Sequence, residues 1–288
     1  MYSSDFLLPP ELKLDDSNIL YQIDFVQHVN LLFELAYKSF EKNRDYLRAG
    51  KDASVLNDNL QYIFQTRVLM TTIEGCLKCI DNSIIYIRKF YDRTKCDENN
   101  ISYVDFVEYH TDMFNYKLST IKDLSHKLVL HIYNEPTKEY EWKIVKKCIT
   151  RHGNQELLNL YDEAFTLFKH ITAKRHSAAH DGKSNINELY DLDFIESARM
   201  YCKEKPDLDH DDVERLSVNL RLTKGHEHLV NLTSARNNLL RFLCRYYHCL
   251  NSTFSKAIKN LEEPCQADGE DKGPAVSGLR RHRSGQGG

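Results

Sequence analysis

The sequence predicts an all-α fold, an elongated multi-helix bundle, on three observations. Glycine and proline are scarce, at 11 and 6 of 288 residues, so turn-rich β architectures are disfavoured. Apolar residues recur every three or four positions over long stretches, as on one face of a helix. No segment pairs alternating apolar and polar residues with the turn signals of a hairpin.

Hydrophobic residues make up 41% of the chain and charged residues 28%, which suits a soluble protein with a substantial core. The formal net charge is -3. The chain as a whole therefore has no electrostatic pull toward nucleic acid or anionic lipid, and any such binding needs a local patch. The N-terminus lacks the basic start and apolar run of an export signal. No stretch approaches the roughly 20 apolar residues of a membrane span. The eight cysteines are scattered through helical segments. Together these features imply a cytoplasmic protein with free thiols and no membrane association.

Residues 1–16 read as a lead-in in which Pro9-Pro10 blocks helix. Asp16 or Ser17 then caps a helix expected to reach Leu47, with Ile19, Ile23, Val26, Val29, Leu32, Phe33, Ala36 and Phe40 on its inner face. A second helix is expected from Asn57 or Asp58 toward Arg93, with a stripe through Leu60, Phe64, Val68, Ile73, Leu77, Ile80, Ile84, Ile87 and Phe90. Asp97 to Asn100 read as a loop. A third helix spans Ser102 to Tyr133 and stops before Pro136, and a shorter one, Glu139 to Thr150, carries the sole tryptophan, Trp142. Gly153-Asn154 opens the next helix, whose inner face is Leu157, Tyr161, Ala164, Phe165, Phe168 and Ile171. Helical segments follow at Asn187 to Lys203, Val213 to Lys224 and Glu227 to Leu261. Residues 17–261 form one helical domain. From residue 262 onward Gly, Pro, Ser and charged residues replace the apolar pattern, which predicts a disordered tail.

The densest chemistry lies at Lys174-Arg175-His176-Ser177-Ala178-Ala179-His180-Asp181-Gly182. Arg175 falls four residues after Ile171, so it prolongs an inward stripe and its charge needs a partner or a cleft. Its fork suits phosphate oxygens, and His180 is the side-chain type that exchanges a proton near neutral pH. Residues five apart on an ideal helix point about 140° from each other. Both reach one phosphate only if the helix ends between them or if two copies face each other. Gly182 allows the first, and the small residues Ser177, Ala178 and Ala179 allow the second. Lys169, His170, Lys174 and Lys183 add a basic neighbourhood that favours phosphate. The plain alternative is a helix C-terminus enriched in cations that complement its dipole.

Other patterns carry less. Cys76-x-x-Cys79, Cys148 with His152, Cys244 with His248, and His226-Glu227-His228 each supply two potential ligands. A zinc site needs four at recognisable spacing, so these read as core thiols with no metal and no cofactor. There is no Gly-x-Ser-x-Gly, phosphate loop or dinucleotide fingerprint. Tyrosines 86, 91, 103, 109, 116, 133, 246 and 247 are candidates for stacking bases, beside the commoner role of packing at the core edge.

Arg175-His176-Ser177-Ala178-Ala179-His180 resembles the Arg-x4-6-His signature of the HEPN superfamily, and Asp181-Gly182 is similar to the His-x-Gly ending of many such domains. The resemblance implies a helical bundle and metal-independent cleavage of RNA by a homodimer, in antiviral defence or toxin–antitoxin stress responses, with an antitoxin or sensor protein as a further partner. It makes Arg175 the group that stabilises the scissile phosphate and His180 the general acid/base. His176 takes the polar position, where asparagine is frequent in the family. Lys169, Lys174 and Lys183 are then substrate-binding. Glu74 and Asp81, seven residues apart on nearly one helix face, are candidates for orienting Arg175, beside the plainer reading of a solvated face. A second reading of the same patch is a non-catalytic helical module for nucleotide or RNA binding, or for dimerisation.

Overall fold

The structure is a computed structural model that describes residues 10–42, 58–135, 139–164, 186, 189–203 and 210–262. Among the described residues every regular element is helical. In chain order the α-helices are α1 (Asp24–Lys42), α2 (Asp58–Lys89), α3 (Arg93–Glu98), α4 (Tyr103–Ile132), α5 (Trp142–Arg151), α6 (155–164), α7 (Tyr190–Lys203), α8 (His210–Leu220) and α9 (His226–Glu262). Helices α2 and α4 share the most extensive contact. Helices α1 and α9 each pack on α2 and on one another, α5 packs on α4, and α7 joins α4 to α8.

Helix α4 shows how the sequence punctuates the chain. Ser102 accepts from the Asp105 amide, and Asp105 accepts from the Ser102 amide, which makes a reciprocal cap. At the other end Asn134 adopts φ 53°, and the Glu135 amide reaches back to the Leu130 carbonyl at 2.9 Å. Asn100 (φ 54°) and Gly153 (φ 69°) end α3 and α5 in the same left-handed way.

Several boundaries differ from the expectations. Asp16 does cap, accepting from the Asn18 amide at 2.9 Å, but it opens a 3-10 turn, Ser17–Gln22. Ile23 is extended, and α1 starts at Asp24. Ile19 is therefore exposed, and Leu20 is buried in its place. The expected loop at Asp97 begins inside α3, which Asp92 caps. Phe64, Val68 and Phe90 are exposed, because the inner stripe of α2 runs through Ile63, Thr66, Met70, Ile73, Leu77, Ile80, Ile84 and Ile87. The two expected C-terminal segments are continuous: α8 passes into α9 through a π turn, Arg221–Gly225. Of the expected tail, 262–288, Glu262 ends α9 and residues 263–288 lie outside the described residues. Seven described cysteines are free thiols. No helix among the described residues is long and apolar enough to cross a membrane.

Candidate functional site

Arg175, His176, His180, Lys169, Lys174 and Lys183 lie outside the described residues, as do Phe165, Phe168 and Ile171. The chain before the motif is described as far as residue 164. Asn154 caps α6, accepting from the Leu157 amide at 3.0 Å. Its side-chain amide also donates to the Tyr133 hydroxyl at 3.1 Å and the Cys249 carbonyl at 3.2 Å. Leu157, Leu160, Tyr161 and Ala164 are buried, as the α6 stripe predicts. The Tyr161 hydroxyl donates to Ser125 Oγ at 3.1 Å. Beyond the motif, Ile186, Leu189 and Leu192 belong to the same core.

Glu74 and Asp81 are not freely solvated charges. Glu74 pairs with Arg67 at 3.3 Å and accepts from the Tyr21 hydroxyl at 3.2 Å. Asp81 is engaged by the buried Arg236, through Nε at 2.6 Å and Nη2 at 3.1 Å. Both lie on α2, and each already has a cation from another part of the chain or from its own helix.

A cleft of about 470 Å³ opens beside the π turn. Arg88 and Lys89 from the end of α2, Arg93 from α3, and Arg221 and His226 from the π turn and α9 supply its charge. Tyr91, Tyr103 and aliphatic side chains complete the wall, and no carboxylate lines it among the described residues. The acids stand behind the cations. Glu214 and Asp97 hold Arg93. The fully buried Glu196 holds Arg221 at 3.5 Å and also accepts from Ser217 and Arg199. Arg88 differs from the others. Among the described residues it meets only the Leu12 carbonyl, at 3.3 Å, and its Nε has no hydrogen-bond partner. Burial lowers its pKa. The Tyr91 hydroxyl also lacks a hydrogen-bond partner among the described residues, and burial followed by the Glu196 charge pushes it up to about 12. A cleft lined by cations suits an anionic ligand with several acceptor oxygens.

The π turn positions Arg221 and Gly225 at this cleft. π turns inside helices are frequent at functional sites. Gly225 is required by proximity, since a Cβ there would lie 2.7 Å from the Tyr103 hydroxyl.

Of the expected ligand pairs, one gains a third member. Glu135, Cys148 and His152 place their ligand atoms within 4.8 Å of one another, the sole such trio among the described residues. Cys148 is buried, and burial followed by Glu135 pushes its thiol up to about 12. The thiol hydrogen-bonds to Glu135, which also accepts from Arg151 at 2.5 Å. His228, by contrast, is taken up by Thr111 at 2.9 Å.

The tyrosines divide by burial. Tyr103, Tyr133, Tyr246 and Tyr247 are buried, whereas Tyr86, Tyr109 and Tyr116 are exposed. No protein family, curated protein or solved structure matches this chain.

The cationic cleft and the Glu135 trio escape a reading along the sequence, because each is assembled from segments that only packing brings together. Two local signals were present: Arg88, Lys89 and Arg93 within one short stretch, and the Cys148/His152 spacing, which lacked its third partner.

Proposed function

We propose that this chain is a metal-independent endoribonuclease of the HEPN type, acting in the cytoplasm as a homodimer. The observation that carries the reading is the Arg175-to-His180 spacing within an all-α chain. His180 removes the proton from a ribose 2′-hydroxyl, and the oxygen attacks the adjacent phosphorus. The bond to the 5′ oxygen breaks, and that oxygen takes a proton as it leaves. The products are a 2′,3′-cyclic phosphate and a 5′-hydroxyl. Arg175 stabilises the charge that develops on the phosphate oxygens. His176 orients the pair or contacts RNA, and Lys169, Lys174 and Lys183 hold the backbone. A role in antiviral defence or a toxin–antitoxin response, under an antitoxin or sensor protein, belongs to the same proposal. Two features support it. The α6 stripe leading toward the motif is buried, and the cleft at Arg88 and Arg221 offers cations to a phosphate backbone.

The test is cleavage of single-stranded RNA in excess EDTA by the wild type, His180→Ala and Arg175→Ala. Cleavage that survives chelation and is lost in both variants, with cyclic phosphate ends, is expected. Variants that cut as fast as the wild type, or a wild-type protein that cuts no RNA, overturn the reading.

A second reading is favoured by one observation, the cleft whose described lining carries cations and no carboxylate, with an Arg88 Nε that has no hydrogen-bond partner among the described residues. Here the chain is a non-catalytic module that holds a nucleotide or RNA. RNA binding without cleavage, sensitive to Arg88 and not to His180, is its signature.

A further inference from the structure

We propose that Glu135, Cys148 and His152 form a binding site for one divalent metal ion of the zinc class. The three ligand atoms already lie within 4.8 Å of one another. Tetrahedral coordination at zinc bond lengths asks for roughly 3.3–3.8 Å between them, so side-chain adjustments of about an ångström close the site. The donor set is one thiolate, one imidazole and one carboxylate. That mixture selects zinc-like ions, because calcium and magnesium favour all-oxygen sites. One thiolate and one carboxylate neutralise the ion's two charges, and the thiol proton leaves to solvent on binding.

The backbone around the trio is shaped for this meeting. Cys148 and His152 stand one turn apart at the end of α5, and His152 is the residue that caps it. Asn134 and Gly153, both at positive φ, turn the chain immediately before Glu135 and immediately after His152. Tyr133 stacks on the His152 ring, with centroids 4.4 Å apart, and is held by Asn154. The imidazole is therefore fixed from its face while its Nε2 stands 3.8 Å from Glu135. Cys148 is buried and His152 is 39% exposed along its side chain, so an ion enters from the imidazole side. His152, Tyr133 and Asn134 also border a cleft of about 650 Å³. Three protein ligands leave a fourth position for water, as in open zinc sites. Arg151 competes, since it occupies Glu135. Its side chain is 65% exposed, and an exposed ion pair of this kind is readily given up.

The test is an anaerobic titration of the chelator-stripped full chain with cobalt(II), followed by absorption. About one equivalent is expected to bind with a thiolate-to-cobalt charge-transfer band and tetrahedral d–d bands. Cys148→Ser loses the charge-transfer band. His152→Ala, at a half-exposed position, weakens binding by at least the roughly 10–100-fold that loss of a merely orienting partner costs. Arg151→Ala tightens it, because Glu135 is released. The proposal is overturned by the absence of a charge-transfer band, by a band that persists in Cys148→Ser, or by unchanged affinity in His152→Ala. This last variant decides the matter if Cys148→Ser does not fold.

Discussion

Arg236 on α9 grips Asp81 on α2 with two parallel hydrogen bonds, 2.6 Å from Nε and 3.1 Å from Nη2. The remaining nitrogen donates to the Asp15 carbonyl at 2.6 Å and to Asn237 at 3.1 Å. One guanidinium therefore fastens two long helices and the N-terminal lead-in. Its side chain is 1% exposed, so its charge depends on that carboxylate. Asp81→Ala is expected to lower unfolding free energy by about 3 kcal/mol, the range for stranding a buried charge. Paired substitution of Asp81 and Arg236 by leucine and methionine recovers most of the loss. Urea denaturation measures both, and a single-variant loss below about 1 kcal/mol would mark the pair as incidental.

Gly225 and Tyr103 make a second test of packing. Gly225→Ala places a methyl 2.7 Å from the Tyr103 hydroxyl and 3.2 Å from its ring. Overpacking of this kind costs about 1–3 kcal/mol. Tyr103→Phe in the same chain removes the nearest atom, so part of the loss returns. Thermal denaturation of the two single variants and the double variant yields the coupling. Purely additive effects would refute the contact.

Acid is expected to destabilise the fold through two buried imidazoles. Burial is the main cause that lowers the pKa of His126 and of His131, against hydrogen bonds to the Tyr140 and Tyr62 carbonyls. In the folded state each takes up its proton at a lower pH than in the unfolded chain, where it titrates near pH 6.5. The unfolded state then binds more protons, so stability falls as pH drops below that point. Denaturation at pH 7.5 and 5.5 tests this, and His131→Gln flattens the difference. A variant with the full wild-type slope would assign the acid sensitivity elsewhere.

The cationic cleft makes a prediction that does not depend on cleavage. Lys89→Ala and Arg88→Gln are expected to weaken binding of a short single-stranded RNA. Each lost phosphate contact makes the slope of log K against log salt shallower by about 0.7. Filter binding or fluorescence anisotropy across a salt series measures it, using His180→Ala protein to keep the RNA whole. An unchanged slope in both variants removes the cleft from RNA binding.

Much of the helical order was legible along the chain. Ser102 with Asp105 marks the start of α4, and the same pattern of apolar spacing carries the buried stripes of α4 and α6. These signals are local, since capping and helical periodicity act within a few residues. Legibility failed where packing overrode local preference. The break expected between Lys224 and Glu227 is a π turn within a continuous helical run, and at Gly225 a Cβ would meet the Tyr103 hydroxyl. Phe64 and Val68 read as core, yet a 32-residue helix offers more apolar positions than its neighbours cover. Arg175 and His180, the expected catalytic pair, lie outside the described residues.

By itself, then, the sequence determined the all-α class, the starts of α4 and α6 and much of their buried stripes. The tertiary structure alone decided which charges meet. Asp81 and Arg236 are 155 residues apart, and Arg93 finds Glu214 121 residues away. Glu135 joins Cys148 and His152 across the turn between α4 and α5. Helix propensity and capping are short-range properties of the chain. The partner of a buried charge is chosen by desolvation, which penalises every arrangement except the packed one that pairs it.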